Sequence, residues 1–124
     1  ETQPLKAIKS MVVTAGLAST AYTDVPDLEK ERLFLYGRPG KFRTQKYPNG
    51  EVGIEYRTPS TRWTDSFALA EKVFTWAEIG LTKLLAGGLI DELEPIIMKD
   101  AQKAILAVDQ RSAESILSFI LTRV

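Results

Sequence analysis

The sequence predicts an α+β fold, with antiparallel strands and hairpins in the N-terminal half and two or three amphipathic helices in the C-terminal half. Three observations lead there. The middle of the chain alternates polar and apolar residues on either side of Tyr47-Pro48-Asn49-Gly50-Glu51, a turn sequence. From Phe67 onward, apolar residues recur at helical spacing. Charge divides the same way: residues 30–63 hold eight Lys/Arg against three Glu, a net of +5 in a chain of zero total charge.

Residues 6–14 fit two patterns. Met11 and Val13 alternate with Ser10 and Val12 as in a strand, while Leu5, Ile8 and Val12 are spaced for a helix. The adjacent β-branched pair and Gly16 favour the strand. Residues 17–24 then return as a second strand, which Val25-Pro26-Asp27 ends. Leu33-Phe34-Leu35-Tyr36 is a short strand closed by the turn Gly37-Arg38-Pro39-Gly40.

The hairpin that follows has a definite register. A two-residue Asn-Gly turn would mix polar and apolar residues on one face. A three-residue loop, Pro48-Asn49-Gly50, pairs Phe42 with Tyr56, Thr44 with Ile54 and Lys46 with Val52, and sets Arg43 opposite Glu55. That register segregates the faces. Pro48 presets φ, and Gly50 supplies the left-handed residue of a G1 bulge.

Asp65 or Ser66 caps the first C-terminal helix. Phe67, Ala70, Val73, Phe74, Ala77, Leu81, Leu84 and Leu85 follow at helical spacing, and Gly87-Gly88 stops it. Asp91, Glu92 and Glu94 favour the next helix start, with Pro95 in its first turn. From Ile97 to Ile120 one apolar stripe continues. Either a single helix spans about 95–123, or a bend sits near Asp109.

Length gives one domain, residues 1–124, with a sheet region at about 6–58 and a helical region at about 65–123. The chain has no Cys and no His. Thiolate metal sites, disulfides and His-based triads are therefore excluded. No enzyme activity, metal or cofactor is expected; carboxylate or lysine catalysis is the residual alternative. No run approaches the ~20 apolar residues of a membrane span, and Glu1-Thr2-Gln3-Pro4 is unlike a signal peptide. The expectation is a soluble protein, cytoplasmic or in a virion, without a membrane partner.

The candidate sites are surfaces. Arg38, Lys41, Arg43, Lys46, Arg57 and Arg62 would neutralise phosphates, and Tyr47 and Tyr56 would stack on bases. This is the pattern of a sheet that binds single-stranded nucleic acid. The competing reading is a structural sheet with its aromatics inward and its charges solvated. Ile116, Leu117, Phe119, Ile120 and Leu121 point nearly all round their helix, so a partner subunit is the natural cover, and a homo-oligomer is expected.

Other patterns are weaker. Tyr36-Gly37-Arg38-Pro39-Gly40-Lys41 has too few residues between its glycines for a P-loop, and Phe42 stands where Ser or Thr belongs. Asp91, Glu92, Glu94 and Asp100 read as helix-start charge rather than an oxygen-ligated metal site. Glu51 with Glu55, or Glu71 with Glu78, lack a spacing that selects an acid–base pair. Trp63 and Trp76 read as packing anchors.

Strands with a basic hairpin, then apolar helices, resemble in layout the coat proteins of small single-stranded RNA phages. Gly50-Glu51-Val52-Gly53-Ile54-Glu55-Tyr56-Arg57 would correspond to a central strand there. The resemblance implies a meander sheet whose face binds RNA and helices that interlock with a partner. Two functions follow: a self-associating protein that binds single-stranded nucleic acid, or a structural assembly protein whose helices are its working surface.

Overall fold

A helix at the N-terminal end of the chain forms the centre of the molecule. The computed structural model describes residues 3–23, 42–46, 48, 52–56 and 67–124. The central helix runs as α1 (Gln3–Met11), a π-helical stretch (Val12–Gly16) and α2 (Leu17–Tyr22). Residues 12–20 are buried on every side. Such a helix must be apolar or small all round. Val12, Val13, Ala15, Leu17 and Ala18 supply apolar volume, and Ser10, Thr14, Ser19 and Thr20 are small polar residues. Two buried hydroxyls are satisfied along the helix. Ser10 Oγ donates to the Lys6 carbonyl at 2.9 Å, and Thr14 Oγ1 to the Ser10 carbonyl at 2.7 Å.

This corrects the expected fold class. The described structure is mainly α, not α+β, and the segments expected as strands at 6–14 and 17–24 are helical as far as Tyr22. The physical reason is burial. A segment enclosed all round has no polar face, and without one the period of a helix cannot be told from that of a strand. Tertiary packing then overrides the β preference of Val12 and Val13. The sheet region accordingly does not begin at residue 6.

The described strands are β1 (Phe42–Lys46) and β2 (Val52–Tyr56), an antiparallel ribbon of two strands. Phe42 pairs with Tyr56, Arg43 with Glu55, Thr44 with Ile54 and Lys46 with Val52, the register of the three-residue loop. A lone ribbon does not make the sheet layer that an α+β fold requires. The strand expected at Leu33–Tyr36 lies outside the described residues.

Helix α3 (Phe67–Ile79) continues as a π-helical stretch (Gly80–Ala86). Its expected caps, Asp65 and Ser66, lie outside the described residues. Leu69, Val73, Trp76, Gly80 and Leu84 face the core, so Trp76 is a packing anchor. Gly80 marks the close crossing with the central helix: a Cβ there would collide with Thr14 Oγ1 and come within 3.2 Å of the Ser10 carbonyl oxygen. Gly87-Gly88 ends the helix as expected, Gly88 taking φ 76°. The chain turns there by 120° into α4 (Leu89–Ala107). Pro95 therefore sits beyond the first turn, where its missing N–H removes one helical hydrogen bond.

The long C-terminal stripe is two helices, with the break near Asp109. The Val108 N–H donates to the Ile105 carbonyl (3.1 Å) and the Asp109 N–H to the Ala104 carbonyl (2.8 Å), closing α4 in a Schellman turn. Val108 takes the left-handed position, φ 50° and ψ 47°, normally given to glycine. Its β-branched side chain is strained there, by about 1–3 kcal/mol. Burial of that side chain in the core offsets the strain.

Helix α5 (Gln110–Leu121) then packs on α2 and α4. Asp109 caps it, accepting from Ser112 N–H (3.1 Å) and Ser112 Oγ (2.7 Å). The Ser112 hydroxyl, then its backbone N–H, hold the Asp109 carboxyl below the usual carboxylate range. A carboxyl depressed by folding stabilises the fold above its unfolded value of about 4 and loses that contribution as pH falls through its folded value. Asp109→Ala should therefore lower the melting temperature at pH 7, with the gap to wild type closing below about pH 4. Melting curves followed by circular dichroism at both pH values check this.

Candidate interaction surface

Three side-chain sets tie the helices together before any outer surface is considered. Lys6 Nζ reaches Asp91 (3.1 Å) and Lys9 Nζ reaches Glu94 (2.7 Å), joining α1 to the start of α4. Arg123 lies 3.5 Å from Glu92 and 5.2 Å from the centroid of the Phe119 ring. Lys72 Nζ stands 4.2 Å over the Tyr22 ring, linking α3 to the end of α2. The acidic group at 91–94 thus has structural partners. Among the described residues, no group of three His, Cys, Asp or Glu side chains is placed to hold a metal ion.

The polar junction at Gln110 is equally specific. The two protons of its Nε2 serve three carbonyls, those of Thr20 (3.2 Å), Ala21 (3.3 Å) and Thr23 (2.8 Å), so at least one proton is shared. These close the C-terminal end of α2, where helix carbonyls lack partners of their own. Sequence gave no sign of this contact, because the partners lie 87 to 90 residues apart.

Part of the sequence-predicted site lies among the described residues. Arg43 and Lys46 lie on β1, opposite Glu55 and Val52. Arg38, Lys41, Tyr47, Arg57 and Arg62 lie outside the described residues. On α5, Leu117 and Ile120 are enclosed by the chain's own core. Ile116 and Phe119 are half-buried against that core, and Leu121 is exposed. Most of the all-round apolar character of 116–121 is thus used within one subunit.

A row on α3 stands out instead. Phe67 is 85% exposed, Phe74 60% and Leu81 50%. They are seven residues apart, turned away from the buried Leu69, Val73 and Trp76. Glu71 and Glu78 lie in the same row and are exposed. Sequence placed Phe67, Phe74 and Leu81 on the helical stripe without separating them from core positions. A second outward row lies on α4, where Ile96 and Leu106, 54% and 53% exposed, flank the exposed Lys99 and Lys103. Glu92, at the start of that row, is paired with Arg123. An open groove of about 770 Å³ separates this face from α5, with Asp100, Lys103, Asp109 and Arg111 on its rim and Ala104 and Ile116 in its floor.

Scattered exposed apolar residues are ordinary on a protein surface, but large ones aligned on one helix face mark an interaction site. No single helix among the described residues is long and apolar enough to cross a membrane. Comparison with protein-family models, characterised proteins and solved structures finds no match.

Proposed function

We propose that this chain is a structural, self-associating protein whose helices form the working surface. The carrying observation is the row Phe67, Phe74, Leu81 on a helix whose other face is already in the core. Among the described residues Phe67 and Leu81 are left exposed, whereas a partner helix would bury them at roughly 25 cal/mol per Å² of apolar area. The spacing of seven suits helix-on-helix packing.

Binding of single-stranded nucleic acid is the second reading. It is favoured by the +5 charge of residues 30–63 and by the ribbon that carries Arg43 and Lys46. Self-association and nucleic-acid binding are compatible in one assembly.

Sedimentation velocity recorded at both 260 and 280 nm tests the two together. Wild type should show a weight-average mass that rises with concentration, and Phe67→Asp/Leu81→Asp should sediment as a monomer with an unchanged circular dichroism spectrum. A wild type that stays monomeric at every concentration rejects the first reading. Added oligonucleotide that never sediments with the protein, even at low salt, rejects the second.

A further inference from the structure

The break between α4 and α5 is short and strained. Only Val108 and Asp109 separate Ala107, the last residue of α4, from Gln110, the first of α5. Neither is glycine, and among the described residues Val108 alone is a non-glycine with positive φ, 50°. A β-branched side chain in that region is an outlier, and its strain is released by any form that lets the chain straighten. The sequence across the break suits such a form. The stripe Ala101, Ile105, Val108, Ser112, Ile116 and Phe119 keeps helical spacing straight through it. In the folded-back form α5 buries the neighbouring row Ala113, Leu117 and Ile120, while Ser112, Ile116 and Phe119 are half-buried. Helix α5 therefore carries two rows, one seated in the core and one that continues the face of α4.

Straightening exchanges the Asp109 cap and the Schellman turn for helical hydrogen bonds across residues 108–110, and it moves Val108 into the right-handed region. It also lifts α5 from α2 and α4 of its own subunit, on which it packs. Short connections under strain favour the exchange of an element between copies: every lost contact is remade with the neighbour, and the strain is not.

We propose that α5 is an exchangeable element: α4 and α5 join as one helix, and the Ala113, Leu117, Ile120 row enters the core of a second copy of this chain, which returns its own α5. The dimer is two-fold symmetric, and Gln110 of each subunit serves the α2 carbonyls of the other. The row Ser112, Ile116, Phe119 is left for contact between the two straightened helices. Exchange requires α5 to leave a core, so it is slow in the native protein and quick under partial unfolding. It neither uses nor needs the α3 row.

The test uses the Phe67→Asp/Leu81→Asp chain, so that association through α3 does not enter. After equilibration at high protein concentration in urea just below the unfolding midpoint and return to buffer, size exclusion with light scattering should show a dimer that persists on dilution. Val108→Gly in that chain should lower the association constant by about tenfold or more, since two hinges lose the strain to be released and a glycine then sits inside each straightened helix. Inserting Gly-Ser-Gly between Val108 and Asp109 should abolish the dimer, because α5 then folds back without strain. Circular dichroism melts confirm that each variant is folded. No dimer from the parent chain, or a dimer that either hinge change leaves unaltered, overturns the exchange of α5 while leaving association through α3 standing.

Discussion

Gly80→Val is expected to lower stability by about 3 kcal/mol, the upper end of overpacking costs, with an unchanged denaturant slope. At Gly80 the π-helical continuation of α3 crosses the central helix. Even a methyl group would meet Thr14 Oγ1 and stand 3.2 Å from the Ser10 carbonyl oxygen and 3.4 Å from Thr14 Cβ. Thr14 Oγ1 cannot turn aside without losing its 2.7 Å hydrogen bond to Ser10, and residue 14 is fully buried. The Ser10 carbonyl is helix backbone and equally fixed.

Two effects oppose each other in the smaller change, Gly80→Ala. Replacing Gly by Ala in a helix gains about 1 kcal/mol of propensity, against an overpacking cost of roughly 1–3 kcal/mol, so a net loss is expected. Thr14→Ala should remove most of that loss, because it deletes the nearest atom. A double-mutant cycle by urea denaturation should give a coupling of about 1 kcal/mol or more between the two sites. Additive effects would mean that the helices do not touch at this point.

The second large effect is expected at Gln110. Gln110→Ala removes the amide that serves the carbonyls of Thr20, Ala21 and Thr23, at a cost of about 1–3 kcal/mol for the lost hydrogen bonds. Gln110→Glu should be worse at neutral pH, because a carboxylate would face those carbonyl oxygens at the negative end of the α2 dipole. The variant's pH dependence follows. The introduced carboxyl is disfavoured as an anion in the folded state, so its folded value lies above its unfolded value. The folded state then binds more protons, and stability falls as pH rises through that interval. Gln110→Glu should accordingly come closest to wild type in acid, the reverse of the trend at Asp109. Urea denaturation at pH 4 and pH 7 distinguishes the two; a Gln110→Glu gap that is no smaller at pH 4 would contradict the geometry.

These two sites show where sequence reasoning reached and where it stopped. Local signals carried their own answers. The Pro48-Asn49-Gly50 turn gave the register of β1 and β2, Gly87-Gly88 marked the end of the α3 helix, and a bend near Asp109, where α4 gives way to α5, was one of two readings of the last stripe. Each depends on residues close together in the chain. Val108 hid the α4 stop, since a β-branched residue stands where glycine is the usual signal.

Residues 6–22 were misread because enclosure removed the polar face that gives a helix its period. The bonds of Gln110, and the pairs Lys6–Asp91 and Lys9–Glu94, join residues about 85 to 90 positions apart, and no short window contains both partners. The candidate surface was half legible. Spacing found Phe67, Phe74 and Leu81, but deciding between core and outer positions required knowing which side of α3 meets the central helix. The same gap led the interface reading to include Leu117 and Ile120, which the subunit uses for itself.

The helix that everything else wraps is also the one a ribosome makes first of those described. When residues 12–20 leave the exit tunnel, the described helices that will cover them are not yet synthesised, the nearest of them beginning at Phe67. Their native contacts span far more of the chain than is usual for a bundle of helices, and such long closures slow folding. Until the helices from Phe67 onward have emerged, a greasy nascent segment must remain shielded by transient collapse or by a chaperone, or risk aggregation.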